Sequence, residues 1–392
     1  MKNNFIIEKL FLVFVTIFFS MNILSQTRAY YNKYEYRKKR HELNFGGGAT
    51  NCLTDLGGSD MSVADINEKD RNRIFRSVYD LDIAKSKYVL NFAYIYHMKS
   101  RLNFRANVAL ASISGDDAQT LEFYRNNRNL NFTTYILETS AIFEFYISLP
   151  STGTKYNLRS VAGQRLAPRF FQQLGFYVFS GVGGFYYDPR AINNLTYNNI
   201  NYWNTDFSPV NTPKMVRLRE LHTEGQGLPG DPAGFTNGQT YSRFALCIPM
   251  GLGVEKAFNS YTGLKLEAGY RYTTTDYIDD VSTNYYDKYT IQSAYGETAA
   301  TMSGTNSGAL HVYGGYAVNG NYPQGAIPDP SLGNNYYTLN RTSTEVGFQR
   351  GNPDNKDVYM FATLSFYKKF NSQPRAYSTI LRHQKRKIKA SF

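Results

Sequence analysis

Residues 357–370, DVYMFATLSFYKKF, alternate with a period of two. Met360, Ala362, Leu364, Phe366 and Phe370 share one parity, and Thr363, Ser365 and Tyr367 share the other. Successive side chains of a strand point to opposite sides, so this spacing predicts a strand with one apolar and one polar face. Seven further segments read the same way, near 41–51, 86–98, 100–113, 131–147, 171–187, 241–256 and 261–275. In 86–98, Tyr88, Leu90, Phe92, Tyr94 and Tyr96 oppose Asn91 and Ala93. In 100–113, Leu102, Phe104, Ala106, Val108 and Leu110 oppose Asn103, Arg105 and Asn107. Within 171–187 the pattern is ambiguous, because Phe176/Val178 and Tyr177/Phe179 could each face outwards.

The connections alternate short and long. Tight turns are expected near Lys99 and Asn259–Ser260, and 148–170 is intermediate. The others, 52–85, 114–130, 188–240 and 276–356, are long and rich in Gly, Asn, Tyr and Pro. Short turns at one end and long loops at the other predict an all-β fold over 41–370, an eight-stranded antiparallel transmembrane β-barrel with long extracellular loops. An even number of strands puts both barrel termini on the periplasmic side. No long apolar run follows residue 25, which excludes spanning helices, whereas a β-span needs only ~9–11 residues, half of them polar. The 34 Tyr and 27 Phe suit the aromatic girdles of such barrels. A soluble β-sandwich also alternates, but it leaves the broad aromatic faces and the loop asymmetry without a cause. A short helix at 64–79 and a hairpin extension above the membrane at 309–316 are the structures expected within the loops.

Charge sharpens this picture. Residues 1–25, with Lys2, Lys9 and the apolar run Leu10–Phe19, read as a secretory signal peptide rather than a membrane anchor. Residues 26–40 form a basic periplasmic N-terminal segment that carries Arg28, Lys33, Arg37, Lys38, Lys39 and Arg40 against Glu35. Residues 371–392 form a basic periplasmic tail that carries Arg375, Arg382, Lys385, Arg386, Lys387 and Lys389 and no acid. The whole chain is +12, so the barrel segment between them is neutral. Connection 148–170 adds Lys155, Arg159, Arg165 and Arg169 on the same side, while loop 276–356 is net acidic. Basic tails often bind nucleic acid. A secreted barrel meets none, so an acidic periplasmic protein surface or anionic membrane lipid is the expected partner.

Three groups of residues could carry chemistry. Glu42, Arg105, Glu138, Glu144, Glu255, Lys265, Glu267 and Arg271 point into the lumen on this reading. Side chains just fill a barrel of this size. An unpaired buried charge is costly, so these residues are expected to pair as a structural network. The pairs Asp116–Asp117 and Asp279–Asp280 fall near the outer rim, where they suit Asx turns, a divalent cation or a rim enzyme's acid/base site. His41, His97, His222, His311 and His383 stand in no nucleophile motif, and GxSxG is absent. Cys52 and Cys247 make neither a disulfide framework nor a zinc motif. No catalytic residue, metal or cofactor is expected.

Four stretches, FGGGATNCLTDLGGSD (45–60), RANVALASISGDD (105–117), GFYVFSGVGGFYYDPRA (175–191) and GYRYTTTDYIDDVS (269–282), together with RGNPDNKDVYMFATLSFYKKF (350–370), resemble the PorG family. That family is the outer-membrane barrel component of the type IX secretion system of Bacteroidota. The resemblance implies a barrel that ties a periplasmic ring, made of a lipoprotein and its partner, to the outer membrane for secretion and gliding. It brings no catalytic residues. The long outer loops and the basic tail depart from the family pattern. The expected function is therefore anchoring or assembly, with contacts from Arg37, Lys38, Lys39, Arg40, Lys155, Arg159, Arg165 and the tail. The alternatives are adhesive or ligand-binding outer loops and, in second place, a rim enzyme.

Overall fold

In the computed structural model of the chain, the described residues are 35–37, 39–56, 85–117, 128, 130–150, 174–193, 214–259, 261–304, 310–313, 326–328, 336–339, 344 and 346–370. The signal peptide, the helix expected at 64–79 and the basic tail lie outside them. The strands are β1 (His41–Leu53), β2 (Lys87–His97), β3 (Leu102–Asp116), β4 (Asn131–Ser148), β5 (Leu174–Ile192), β6 (Met215–Arg217), β7 (Phe244–Ala257), β8 (Thr262–Thr273), β9 (Leu310–Tyr313), β10 (Ala326–Pro328), β11 (Tyr336–Leu339) and β12 (Val358–Phe370). Two short helices, α1 (Lys288–Tyr295) and α2 (Glu297–Ser303), lie between β8 and β9.

Eight antiparallel strands close on themselves in the order β4-β3-β2-β1-β12-β8-β7-β5, and β5 pairs back to β4. Closure leaves no open edge, which is what lets a sheet stand in lipid. The outer wall is apolar: Phe45, Tyr88, Leu90, Leu110, Phe143, Val182, Leu246, Leu252 and Leu266 are all exposed. The alternate residues are buried, including Asn91, Arg105, Glu138 and Glu255. A sheet that turns its large apolar side chains out and its charges in is inverted relative to a soluble fold, as lipid requires.

The ambiguous strand is settled by its neighbours. Tyr177 and Phe179 face inward and are nearly inaccessible, whereas Phe176 and Val182 face out. Glycines on β7 make room for the rings: a Cβ at Gly253 would lie 2.1 Å from the Tyr177 ring and one at Gly251 2.6 Å from that of Phe179. On the same seam, pairing of β5 with β7 jumps from Ser180↔Met250 to Gly183↔Cys247. Pro249 stands in that gap and has no N–H to donate.

Both tight turns form where expected. Lys99 N donates to Leu102 O at 3.0 Å. Asn259 Oδ1 accepts from Tyr261 N at 2.7 Å and Thr262 N at 2.9 Å. At the other end the long connections build a folded cap. β5 runs past the expected end at 187 to Ile192 and gains β6 as a short partner. The strand expected at 309–316 forms as β9, but it joins β11 and β10 in a separate three-stranded sheet rather than extending a barrel hairpin. Ile278 and Val281, fully buried, drop from the cap into the barrel mouth against Phe132, Ile136, Phe185 and Tyr359.

Candidate functional site

All eight inward charges predicted from the sequence reach the lumen, and all pair. Arg105 Nη1 lies 2.5 Å from Glu267 Oε1 and 3.1 Å from Glu144 Oε1. Lys265 Nζ lies 2.7 Å from Glu42 Oε1 and 3.7 Å from Glu144 Oε2. Arg271 Nε reaches Glu138 Oε2 at 3.4 Å, where the Tyr359 hydroxyl also donates at 2.9 Å. Glu255 accepts from Tyr146 OH at 2.5 Å and from Lys369 Nζ at 3.2 Å. Lys369 and Tyr359 on β12 and Tyr146 on β4 join the set, and strand register brings them to their glutamates.

His97 completes the set. Its Nε2 lies 2.9 Å from Glu42 Oε2 and its Nδ1 2.8 Å from Asn103 Oδ1, while Asn103 Nδ2 donates to Glu144 at 3.1 Å. The ring thus ties β1 to β3 through Glu42 and Asn103. The lumen is a filled network of paired charges, the form in which buried charge is least costly.

The cap is the second polar centre. Arg350 Nη1 donates to Glu224 Oε1 at 2.9 Å and to the Asp280 carbonyl at 2.7 Å. Glu224 also accepts from Ser282 N at 2.8 Å and Thr283 N at 3.1 Å. Arg128 donates to Asp117 at 2.5 Å, to the Arg350 carbonyl at 2.6 Å and to the Asp55 carbonyl. Four distant segments are thereby stitched over the mouth. Asp116, by contrast, pairs with Lys85 at 2.9 Å.

The Asp279–Asp280 pair lies deep in this cap. Asp279 accepts from Leu56 N and Val281 N, each at 2.9 Å, the second being an Asx turn. Asp280, at a positive φ of 69°, accepts from Thr223 and Tyr241 hydroxyls at 2.5 Å. Burial pushes the Asp276 carboxyl up to about 7 and that of Asp280 up to about 6. Burial, and then the charge of neighbouring carboxylates, raises Asp279 and Asp357 well above the ordinary range. Among the described residues no group of three or more His, Cys, Asp or Glu could hold a metal ion.

The expected docking residues divide. Lys39 is buried, its Nζ 4.0 Å from the centre of the Tyr261 ring, and Arg40 Nη1 donates to Tyr96 OH at 2.9 Å, so both brace the periplasmic mouth. Arg37 sits exposed on a single 3-10 turn, Glu35–Arg37. Lys38, Lys155, Arg159, Arg165, Arg375, Arg382, Lys385, Arg386, Lys387 and Lys389 lie outside the described residues. Of the remaining histidines, His41 meets Tyr94 OH at 2.6 Å, His222 stacks on Tyr295 at 4.1 Å, His311 lies on β9 and His383 is outside the described residues. The Cys52 thiol lies 3.7 Å from the Ser114 carbonyl, and Cys247 is buried in the lumen wall.

No protein-family model and no curated protein matches the sequence. Among solved structures the chain is similar to the outer membrane protein OprG of Pseudomonas aeruginosa, with 11% identity, 86% of this chain and 98% of that one covered, and a TM-score of 0.32. It is similar to Neisserial surface protein A, with 8% identity, 84% and 97% covered, and a TM-score of 0.29. It is also similar to Ail, the attachment invasion locus protein of Yersinia pestis, solved with the heparin analogue sucrose octasulfate, with 10% identity, 60% and 87% covered, and a TM-score of 0.24. The assignment to the transmembrane β-barrels rests on this chain's own closed ladder, apolar outer wall and charged, filled lumen.

Proposed function

We propose that this chain is a non-enzymatic outer-membrane barrel that anchors or helps assemble a periplasmic protein ring. This is the role implied by its resemblance to the PorG family of the type IX secretion and gliding machinery. The observation that carries the reading is the filled lumen. Arg105, Lys265, Arg271 and Lys369 engage glutamates from facing strands, so a passing solute would have to separate buried ion pairs. A barrel plugged in this way holds a position in the membrane, and its work falls to its two ends.

The excess positive charge of the mature chain lies in 26–40 and 371–392, on either side of a neutral barrel. These segments dock an acidic face of the ring lipoprotein and its partner. Arg375, Arg382, Lys385, Arg386, Lys387 and Lys389 make the main contact, while Lys39 and Arg40 stay with the mouth. Each exposed pair contributes only ~0.2–1 kcal/mol, so the tail acts through many contacts at once. The test is deletion of 371–392 followed by co-purification of the ring from membranes in mild detergent. The expected result is a several-fold loss of captured ring with the barrel still folded. Undiminished capture would sink the tail's role.

A second reading has one observation in its favour. The cap holds an open cleft of about 400 Å³ lined by Arg219, Glu220, His222, Gly238, Gln239 and Thr240. A ligand-binding or adhesive role would place its contacts there. Replacing 218–241 would then abolish surface binding and leave ring capture intact.

A further inference from the structure

The outer wall carries a cationic cluster where β5 and β6 leave the apolar band. Arg190 and Arg217 are register partners on the outward face. Two guanidiniums side by side repel unless an anion bridges them. Asp188 supplies part of that bridge, with Arg190 Nη2 at 2.7 Å and Arg217 Nε at 3.5 Å from its Oδ2. Arg243 lies 3.7 Å from Asp188 Oδ1 and 3.0 Å from Glu220. Three guanidiniums face two carboxylates, the buried Arg243 Nε has no hydrogen-bond partner, and exposed Lys214 adds further charge at the edge.

The height of the cluster identifies what it meets. The ten steps along β5 from Phe176 to Tyr186 climb roughly 25 Å when tilted at about 40°, which is the height of a barrel's apolar band. The upper edge of that band is aromatic: Tyr186 packs edge-on against Phe244 at 5.2 Å, and the Arg190 guanidinium lies 5.2 Å from the Tyr135 ring. The arginines stand just above, at the level of lipid headgroups, on the side away from the barrel termini. Below them Phe244 and Leu246 are 72% and 66% exposed. At Gly184 an added Cβ would meet nothing nearer than 3.9 Å, which leaves a shallow notch in the wall.

We propose that Arg190, Arg217 and Arg243 form a binding site for the phosphate of an outer-leaflet lipid headgroup, whose acyl chain lies along Phe244, Leu246 and the Gly184 notch. Arg217 Nη1 also reaches Glu220 at 3.4 Å, yet three guanidiniums against two carboxylates leave positive charge over, and guanidinium forks match the oxygens of a phosphomonoester two by two. Asp188 and Glu220 hold the forks in place, and the positive charge left over favours a dianion over a zwitterion. The site is independent of any contact on the periplasmic side.

The experiment uses the full-length protein in nanodiscs that contain bisphosphorylated lipid A or the same lipid with its phosphates removed. Retained lipid is counted by native mass spectrometry. The folded barrel should retain the phosphorylated form about tenfold better, which corresponds to roughly 1.4 kcal/mol. R190Q/R217Q should bring retention down to that of the dephosphorylated lipid, and Glu220→Gln should raise it. Equal retention of both lipids by the unaltered protein overturns the proposal. So does unchanged retention in R190Q/R217Q once heat-shifted gel mobility shows it folded. Complete displacement by millimolar inorganic phosphate would reassign the cluster to a free anion and equally overturn the lipid assignment.

Discussion

The lumen and the extracellular cap both bury carboxylates, and they neutralise them in different ways. In the lumen, Glu42, Glu138, Glu144, Glu255 and Glu267 each face a cation contributed by another strand. In the cap, Asp117 and Glu224 pair with Arg128 and Arg350, while the carboxyls of Asp276, Asp279, Asp280 and Asp357 rely on backbone N–H groups and hydroxyls, and burial raises them above the ordinary range. A charge matched by a partner persists over a wide pH range. A charge matched by a proton makes its surroundings responsive to pH. The barrel is therefore built for permanence, and the cap for conditional order.

The largest expected effect breaks the lumen side of this contrast. Arg105→Gln leaves Glu144 and Glu267 facing each other in the lumen and should cost ~3–5 kcal/mol in urea unfolding from vesicles. Adding Glu267→Gln should restore part of the loss. A cost below 1 kcal/mol would mean that water, not Arg105, neutralises these carboxylates.

Arg350→Gln probes the cap, and about 3 kcal/mol of local stability should go with it, because Glu224 and the Asp280 carbonyl lose their shared donor. Limited proteolysis should open the cap while the unfolding midpoint of the barrel holds. An equal shift of both would erase the distinction between the regions.

The third prediction uses pH. Asp276 and Asp280 have folded values raised to about 7 and about 6, above the ~3.9 of an unfolded aspartate. Their contribution is full below the unfolded value and is lost as pH rises through the folded ones. Hydrogen exchange across 275–285 should therefore be slower at pH 5 than at pH 8, by on the order of 2 kcal/mol in opening free energy. Asp276→Asn should flatten the slope, and the barrel strands should show none.

The smallest effect sharpens the contrast within the cap. Asp287 caps α1 by accepting from Thr290 N at 2.9 Å. Asp287→Ala should cost ~1 kcal/mol, visible as faster exchange in α1 alone.

Much of the barrel was legible in the chain. Each of the eight strand segments formed within a few residues of its expected bounds, and the inward set from Glu42 to Arg271 reached the lumen without exception. Lys369 was missed, although its parity on β12 points it inward, because a lysine at the end of the last barrel strand looks solvated. His97 carried no motif that marked it, and its place between Glu42 and Asn103 depends on where β1 and β3 fall beside β2. The cap was the least legible part. Loops 188–240 and 276–356 carry no period, and Arg128, Glu224 and Arg350 are separated by roughly a hundred residues each. Asp117 and the Asp279–Asp280 pair were expected at the rim, and burial beneath other loops gives them their present surroundings.

The sequence by itself determined that eight strands would alternate, which faces would meet lipid outside 171–187, where the tight turns would fall, and that the excess charge would flank a neutral barrel. Those properties are local: they follow from the pleat of a strand, the chemistry of an Asn at a turn, and a count of charged side chains. Only the tertiary structure decided that Arg105 meets Glu267, that Tyr177 faces inward over Gly253, and that Arg190, Arg217 and Arg243 gather around Asp188 at the headgroup level. Each of these pairs residues that are distant in sequence. Strand register and loop burial bring them together, and both are set by the closing of the barrel as a whole.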